Sequence, residues 1–325
     1  MKRIIAITVV SCLTWFYLSA QNFPQAEVSN EIIKAKLYLP DIEKGYYQGS
    51  RFDWSGVIPE LEYKGHSYFA QWFNNHNPKT HDAILGPVEE FFPLAYDEAK
   101  IGEEFIRIGI GGFKKPEEKS FNRFGFYEIS NPGKWNVETA IDRATFIHTL
   151  NSVAGYSYEY TKTVLLKEGE PKLVLQHTLK NTGKHAIITE VYNHNFFVID
   201  GQTIGPDIVI KFPFDVAGKW NNPEGPSIID GKDIKYTREL STRESVMIEE
   251  VLGHGKSVRD YDFRIENLKT GAGVHITGNR PISKVVFWSN SRTSCPEPYI
   301  DLNVEPGEEF TWEITYEFYT FAPQK

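Results

Sequence analysis

Across residues 310–318 the even positions read Phe310, Trp312, Ile314, Tyr316 and Phe318, and the odd ones Thr311, Glu313, Thr315 and Glu317. A side-chain period of two does not fit a helix, which turns every 3.6 residues or so; it describes an antiparallel strand with one face buried and one in water. Similar runs recur over 156–166, 172–179, 186–197, 207–214, 261–268, 273–277 and 284–289, separated by turn-forming clusters such as KEGEPK, KNTGKH and LKTGAG. Only YDEAKIGEEF, at 96–105, has the composition of a helix, and Gly102 weakens it. No repeat, low-complexity tract or linker divides the chain. Residues 21–325 are therefore expected to form a single all-β domain, either two large sheets face to face or a large barrel. With 41% hydrophobic and 14% aromatic residues, the chain has the material for a sizeable core.

The N-terminus reads as a leader. Lys2 and Arg3 precede an apolar stretch at 4–18, and Leu18-Ser19-Ala20 supplies the small residues of a signal-peptidase site, so residues 1–20 are expected to be removed on export. The stretch falls short of the roughly 20 residues needed to span a bilayer, and no later segment is apolar enough to do so. The expected location is periplasmic or secreted, without membrane insertion. A weaker alternative takes Val9-Val10-Ser11-Cys12 as a lipoprotein processing site that lipidates Cys12; the apolar run continuing past Cys12 argues against it. Loss of the leader leaves Cys295 as the one cysteine, which rules out an intramolecular disulfide. The net charge of -8, more negative still without Lys2 and Arg3, disfavours nucleic acid and anionic membrane surfaces. An uncharged ligand fits better.

Within EVYNHNFFVIDG, strand alternation places His194 on one face with Glu190, Tyr192 and Phe196, and sends Val191, Asn193, Asn195 and Phe197 to the other. A mixed aromatic and polar face suits sugars, whose C–H surfaces stack on rings while their hydroxyls take hydrogen bonds. A lone strand histidine is also commonly a hydrogen-bonded core residue. Nearer the C-terminus, Pro296 and Pro298 flank Glu297 and hold it extended on a stiff segment, as a catalytic carboxylate requires and as an exposed turn would equally allow.

Taken together, these segments resemble the aldose 1-epimerase (galactose mutarotase-like) superfamily. TEVYNHNFFVIDG resembles the family's Asn-His-x-aromatic strand, and YSYEYTKTVLLKEGEPKLVLQHTLKNTGKHAII before it has the family's strand and turn rhythm. CPEPYIDLNVEPGEEFTWEITYEF is similar to the family's ending, and DYDFRIENLKTGAGVHITGNRPISKVVFWSN to the segment with its Tyr-Asp pair. The likeness spans about 150–325. It implies a β-supersandwich with a sugar site on its concave face, His194 as general acid, Glu297 as general base, and Asp262 as a substrate-binding aspartate. It also implies mutarotation: the base takes the anomeric hydroxyl proton, the acid protonates the ring oxygen, and the ring opens and closes again without metal or cofactor. His194 and Glu297 are expected to face each other about a monosaccharide apart.

The first half departs from the family. Glu89 and Glu90 follow Gly-Pro where the family has an arginine, and Ile110 and Gly111 precede Gly112-Phe113 where it has a second histidine. Arg51, able to make bidentate hydrogen bonds, and Trp54, able to stack on a pyranose, are candidates to rebuild the site. Trp288 is a third, at a strand position that relatives acting on sugar phosphates use to line the cleft. The expected partner is a mono- or oligosaccharide, and the leading activity is interconversion of sugar anomers. A non-catalytic carbohydrate-binding protein and a glycan lyase or hydrolase on the same fold are the alternatives. G-x-S-x-G, H-E-x-x-H, P-loop and C-x-x-C motifs are absent. His76, His81 and Asp82 have a metal-compatible spacing but lie in a turn-rich segment.

Overall fold

The computed structural model describes residues 23–220 and 224–324; the leader, with Cys12, lies outside the described residues. Two antiparallel sheets dominate. The larger has ten strands, running from Ser227–Asp230 at one edge to Lys134–Thr139 at the other. The smaller has six, in the spatial order Ala217–Trp220, Ser245–Leu252, Lys284–Asn290, Ser294–Val304, Ile187–Phe196, Gly86–Phe91. Four- and three-stranded sheets from the first half of the chain complete the fold.

The alternation that predicted the last strand sets its packing. Trp312, Ile314, Tyr316 and Phe318 of Glu309–Thr320 are buried in one large core together with Val191, Val285, Phe287 and Ile300 of the six-stranded sheet. The odd residues Thr311, Glu313 and Glu317 lie on the outer face, where they pair with the neighbouring strands. Each inward aromatic removes a large apolar area from water at about 25 cal/mol per Å², which is why register is pinned: a one-residue slip would turn the whole set outward.

The other face of the six-stranded sheet is covered as well. A second apolar cluster joins Tyr192, Phe196, Val286, Cys295 and Tyr299 of the sheet to Phe52, Trp54, Trp72 and Phe105 of the N-terminal segments. Adjacent residues on one strand consequently serve different interiors. Glu89 of Gly86–Phe91 turns toward the ten-stranded sheet, where it takes the Lys162 ammonium and His177 Nε2 at 2.9 Å, and it also accepts from Asn193 Nδ2 of the adjacent strand at 2.8 Å. Glu90 turns the opposite way.

The one stretch of helix-like composition, 96–105, does not become a helix. Ala99 N donates to Ala95 O in a single turn, Ala95 and Gly102 have φ of 63° and 83°, and the chain then enters the strand Glu104–Arg107. Left-handed backbone just before the stretch and again within it, at Gly102, leaves only residues 96–101 between, too few for helix propagation. Nearby, Glu62 and Tyr63 pair with Ser67 and His66 in a hairpin, with Lys64 and Gly65 both at positive φ, as a two-residue turn between right-twisted strands requires.

Pro296 and Pro298 lie inside a central strand rather than in a turn. Proline has no N–H to give the ladder, and the bridges between the two strands run from Ile187↔Val304 to Tyr192↔Tyr299, then resume at Phe197↔Ser294. The gap spans the two prolines. Asn195 fills part of it, donating through Nδ2 to Pro296 O at 2.8 Å and accepting Tyr316 OH at 2.8 Å. Asn195→Ala should therefore cost about 1–3 kcal/mol, the range for orphaning buried polar partners, as a lower urea midpoint at unchanged m. A loss below about 0.5 kcal/mol would mean that the ladder gap is closed by other groups.

Candidate active site

His194 and Glu297 belong to neighbouring strands whose register continues across the proline gap to set them directly opposite. Both side chains turn to the face away from the ten-stranded sheet. Opposed residues on one face have Cβ atoms only about 4.5–5.5 Å apart, and His194 Nε2 accordingly lies 3.2 Å from Glu297 Oε1. This differs from the expected separation of a monosaccharide, because the cross-strand register brings the two groups into contact instead of across a gap. Both are buried, at 4% exposure each. The imidazole stacks on Phe196 with centroids 3.8 Å apart and meets the edges of Phe52 and Trp288 at 5.6 and 5.9 Å.

The pair sits in a cavity of about 550 Å³. Its floor is the six-stranded sheet, contributing Met247, Val286 and Trp288 beside the pair, and Arg51, Asp82, Arg123 and Phe124 from N-terminal segments form its wall. Arg51 is held on three sides: Nε donates to Glu90 Oε2 at 2.7 Å, Nη2 to Tyr192 OH at 3.0 Å, and Nη1 to Asp82. Arg123 Nη2 reaches Glu90 Oε2 and Tyr192 OH, both at 2.8 Å. Arg107, buried behind them, donates to Glu90 Oε1 at 2.7 Å and to Phe91 O. One buried carboxylate thus anchors three guanidiniums. Burial alone would raise the Glu90 pKa, but Arg51, Arg107 and Arg123 outweigh it and hold the carboxyl well below the usual range.

The His194–Glu297 pair is set in the opposite sense. Burial pushes the Glu297 carboxyl up to about 7, against the pull of Arg51 and Arg123. Burial, followed by the Arg51 charge, holds the imidazolium of His194 well below its ordinary value. Below about pH 7 the favoured arrangement is a protonated Glu297 beside a neutral His194. Two groups whose environments drive their protonation apart in a closed cleft are a functional-site signature.

Of the residues singled out from sequence, the cavity brings together His194, Glu297, Arg51 and Trp288. Trp54 is buried away from it and donates Nε1 to Gly49 O at 2.9 Å, a packing role. Asp262 also lies apart: Phe263 and Ile265 of the same strand fill the core between the sheets, so parity puts Asp262 on the outer face, with His275 Nε2 at 2.9 Å and Arg264 at 3.2 Å. The strand is entered from a capped 3₁₀ turn, Val258–Asp260. His76 contacts Tyr46 O and His81 turns to Asp82, and among the described residues no cluster of metal-ligating side chains forms. Arg123 was not singled out from the sequence, Asp82 was read only for its metal-compatible spacing, and Tyr192 only as a neighbour of His194 on its strand face. Arg123 and Asp82 lie in irregular segments with no periodic signal, whereas Tyr192 shares the parity of His194.

No family model matches the chain, and no curated protein matches its sequence. Solved structures do. A galactose mutarotase-like protein from Clostridium acetobutylicum is 13% identical, with 91% of this chain and 95% of that one covered at a TM-score of 0.55. A galactose mutarotase related enzyme from Lactobacillus acidophilus is 15% identical over 93% and 99%, at 0.53. An aldose epimerase homologue from C. elegans is 11% identical over 93% and 99%, at 0.50. The fold is therefore the galactose mutarotase-like β-sandwich.

Proposed function

We propose that the protein is an exported carbohydrate-active isomerase of the aldose 1-epimerase type, interconverting sugar anomers with His194 as acid and Glu297 as base. The observation that carries this reading is the buried His194–Glu297 contact at the closed end of a sheet-floored cavity. The fold, and neighbours described as mutarotase-related or as epimerase homologues, support it.

Proton bookkeeping fits the chemistry. A protonated Glu297 beside neutral His194 and a carboxylate beside imidazolium are the same pair with one proton moved across 3.2 Å. In the second form Glu297 takes the anomeric hydroxyl proton as the C1–ring oxygen bond breaks, and His194 gives its proton to the ring oxygen. The open aldehyde rotates about C1–C2, and reversal of both transfers closes the ring on the other face. Neither metal nor cofactor enters the balance. Arg51 and Arg123, facing the cavity from the Glu90 anchor, are placed to take sugar hydroxyls.

A binding-only protein is the second reading, favoured by one observation: the direct His194–Glu297 contact occupies the gap where a sugar ring would reach both groups. One-dimensional proton NMR of freshly dissolved α-anomers of several aldoses decides between them. Faster equilibration with the wild type, lost in His194→Ala and Glu297→Gln, is the expected result. Sugar binding without any acceleration would sink the isomerase and leave the binding protein.

A further inference from the structure

The cavity has two unlike ends. At one, His194, Glu297 and Phe196 are almost wholly buried under Phe52 and the arginine wall. At the other, the floor continues across two more strands of the sheet. Val286 is Cα partner to Glu297, Trp288 to Cys295, and Met247 in turn to Trp288. Exposure rises along this path. Val286 is buried, Trp288 and Met247 are half-buried, and Glu249, which lines the cavity on the last of these strands, is exposed. Neighbouring strands lie about 4.8 Å apart, so the floor runs about 10 Å beyond Glu297, farther than one pyranose ring reaches.

Resting on the isomerase reading above, we propose that this open stretch is a second sugar subsite, and that the substrate is the reducing-end residue of an oligosaccharide. Mutarotation needs a free anomeric hydroxyl, which an oligosaccharide has only at its reducing end. That residue enters the closed end, and the chain must leave by the open one. The floor there has the composition of a saccharide platform: the ring of Trp288 and the thioether of Met247 for C–H faces, and the carboxylate of Glu249, without a side-chain partner among the described residues, for hydroxyls. A cavity made for a free monosaccharide would have no use for a graded, open floor two strands long.

The test compares anomerisation of glucose, galactose and mannose with that of disaccharides ending in the same reducing sugar, maltose and cellobiose among them. The disaccharide should show a kcat/KM about tenfold higher, since remote binding energy is realised in the transition state. Met247→Ala and Glu249→Ala should each shrink the ratio of disaccharide to monosaccharide by about threefold or more, a comparison within each variant that a general loss of folded protein does not move. Equal kcat/KM for every pair, or a ratio unmoved by both variants, overturns the subsite while leaving the isomerase intact. If no sugar is turned over, saturation-transfer NMR on Glu297→Gln separates the two ideas. Oligosaccharide binding that the added Met247→Ala substitution abolishes keeps the subsite and discards the isomerase, whereas no binding of any saccharide discards both.

Discussion

Glu90→Gln should destabilise the protein by about 3–5 kcal/mol, the cost of removing one partner from a buried ionic cluster. The size follows from what remains. Arg51 and Arg107 are 6% and 1% exposed, and both put their charge on Glu90, as does Arg123. Glutamine offers one oxygen where the carboxylate offered two, and its amide hydrogens face cations. Arg107 is the worst placed, because its Nε and Nη1 already lack partners among the described residues. Chemical denaturation should show a lower midpoint at unchanged m. The effect carries a pH signature. The Glu90 carboxyl is depressed in the folded state, so its contribution is complete above the unfolded glutamate pKa of about 4.3 and is lost as pH falls below it. The stability gap between wild type and Glu90→Gln should hold at pH 7 and narrow below about 4.3. A gap under about 1 kcal/mol at pH 7, the worth of an exposed pair, would show that solvent and Asp82 already satisfy the guanidiniums. Activity should fall as well, since Arg51 and Arg123 reach the cavity from this anchor.

That anchor marks the limit of what could be read from the sequence. Period-two alternation exposed the strands of the second half, because a half-buried strand writes its burial into every second residue. His194 and Glu297 were legible from their strand and their proline frame. Their contact was not, since it depends on a pairing register between segments a hundred residues apart, and alternation fixes a side chain's face without fixing its neighbour across the sheet. Glu90 read only as a departure where an arginine was expected. The arginines instead arrive from positions 51, 107 and 123, by way of loops and a short strand that have no periodicity to read. Asp262 was misplaced for the converse reason: a motif names a residue, but the packing of Phe263 and Ile265 decides which side of the sheet it faces. Trp54 shows the ambiguity of aromatics, since a ring fit to stack on a sugar is equally fit to fill a core.

Glu297→Gln should lower kcat for anomerisation by about 10²- to 10⁴-fold, the usual worth of a positioned acid–base group. His194→Ala should lose a similar factor, and the double variant little more, because groups sharing one proton fail as a unit. The pH profile of kcat/KM makes the sharper test, since it reports the free protein. Ring opening as drawn needs one proton on the pair. With Glu297 raised to about 7, that proton is lost as pH rises through neutrality, so kcat/KM should fall on the alkaline side. Below 7 it should stay level until His194 gains a second proton, at a pH well under the ordinary histidine value. Glu297→Gln should abolish the limb near 7 in whatever rate remains. The opposite slope, kcat/KM climbing through pH 7, would mean that ionised Glu297 works with a proton from elsewhere, and the shared-proton pair would have to be abandoned. Burial thus has two consequences at this site: it costs stability as pH rises from about 4.3 to about 7, where folding must hold protonated a carboxyl that would ionise in water, and it keeps up to about pH 7 the proton the reaction needs.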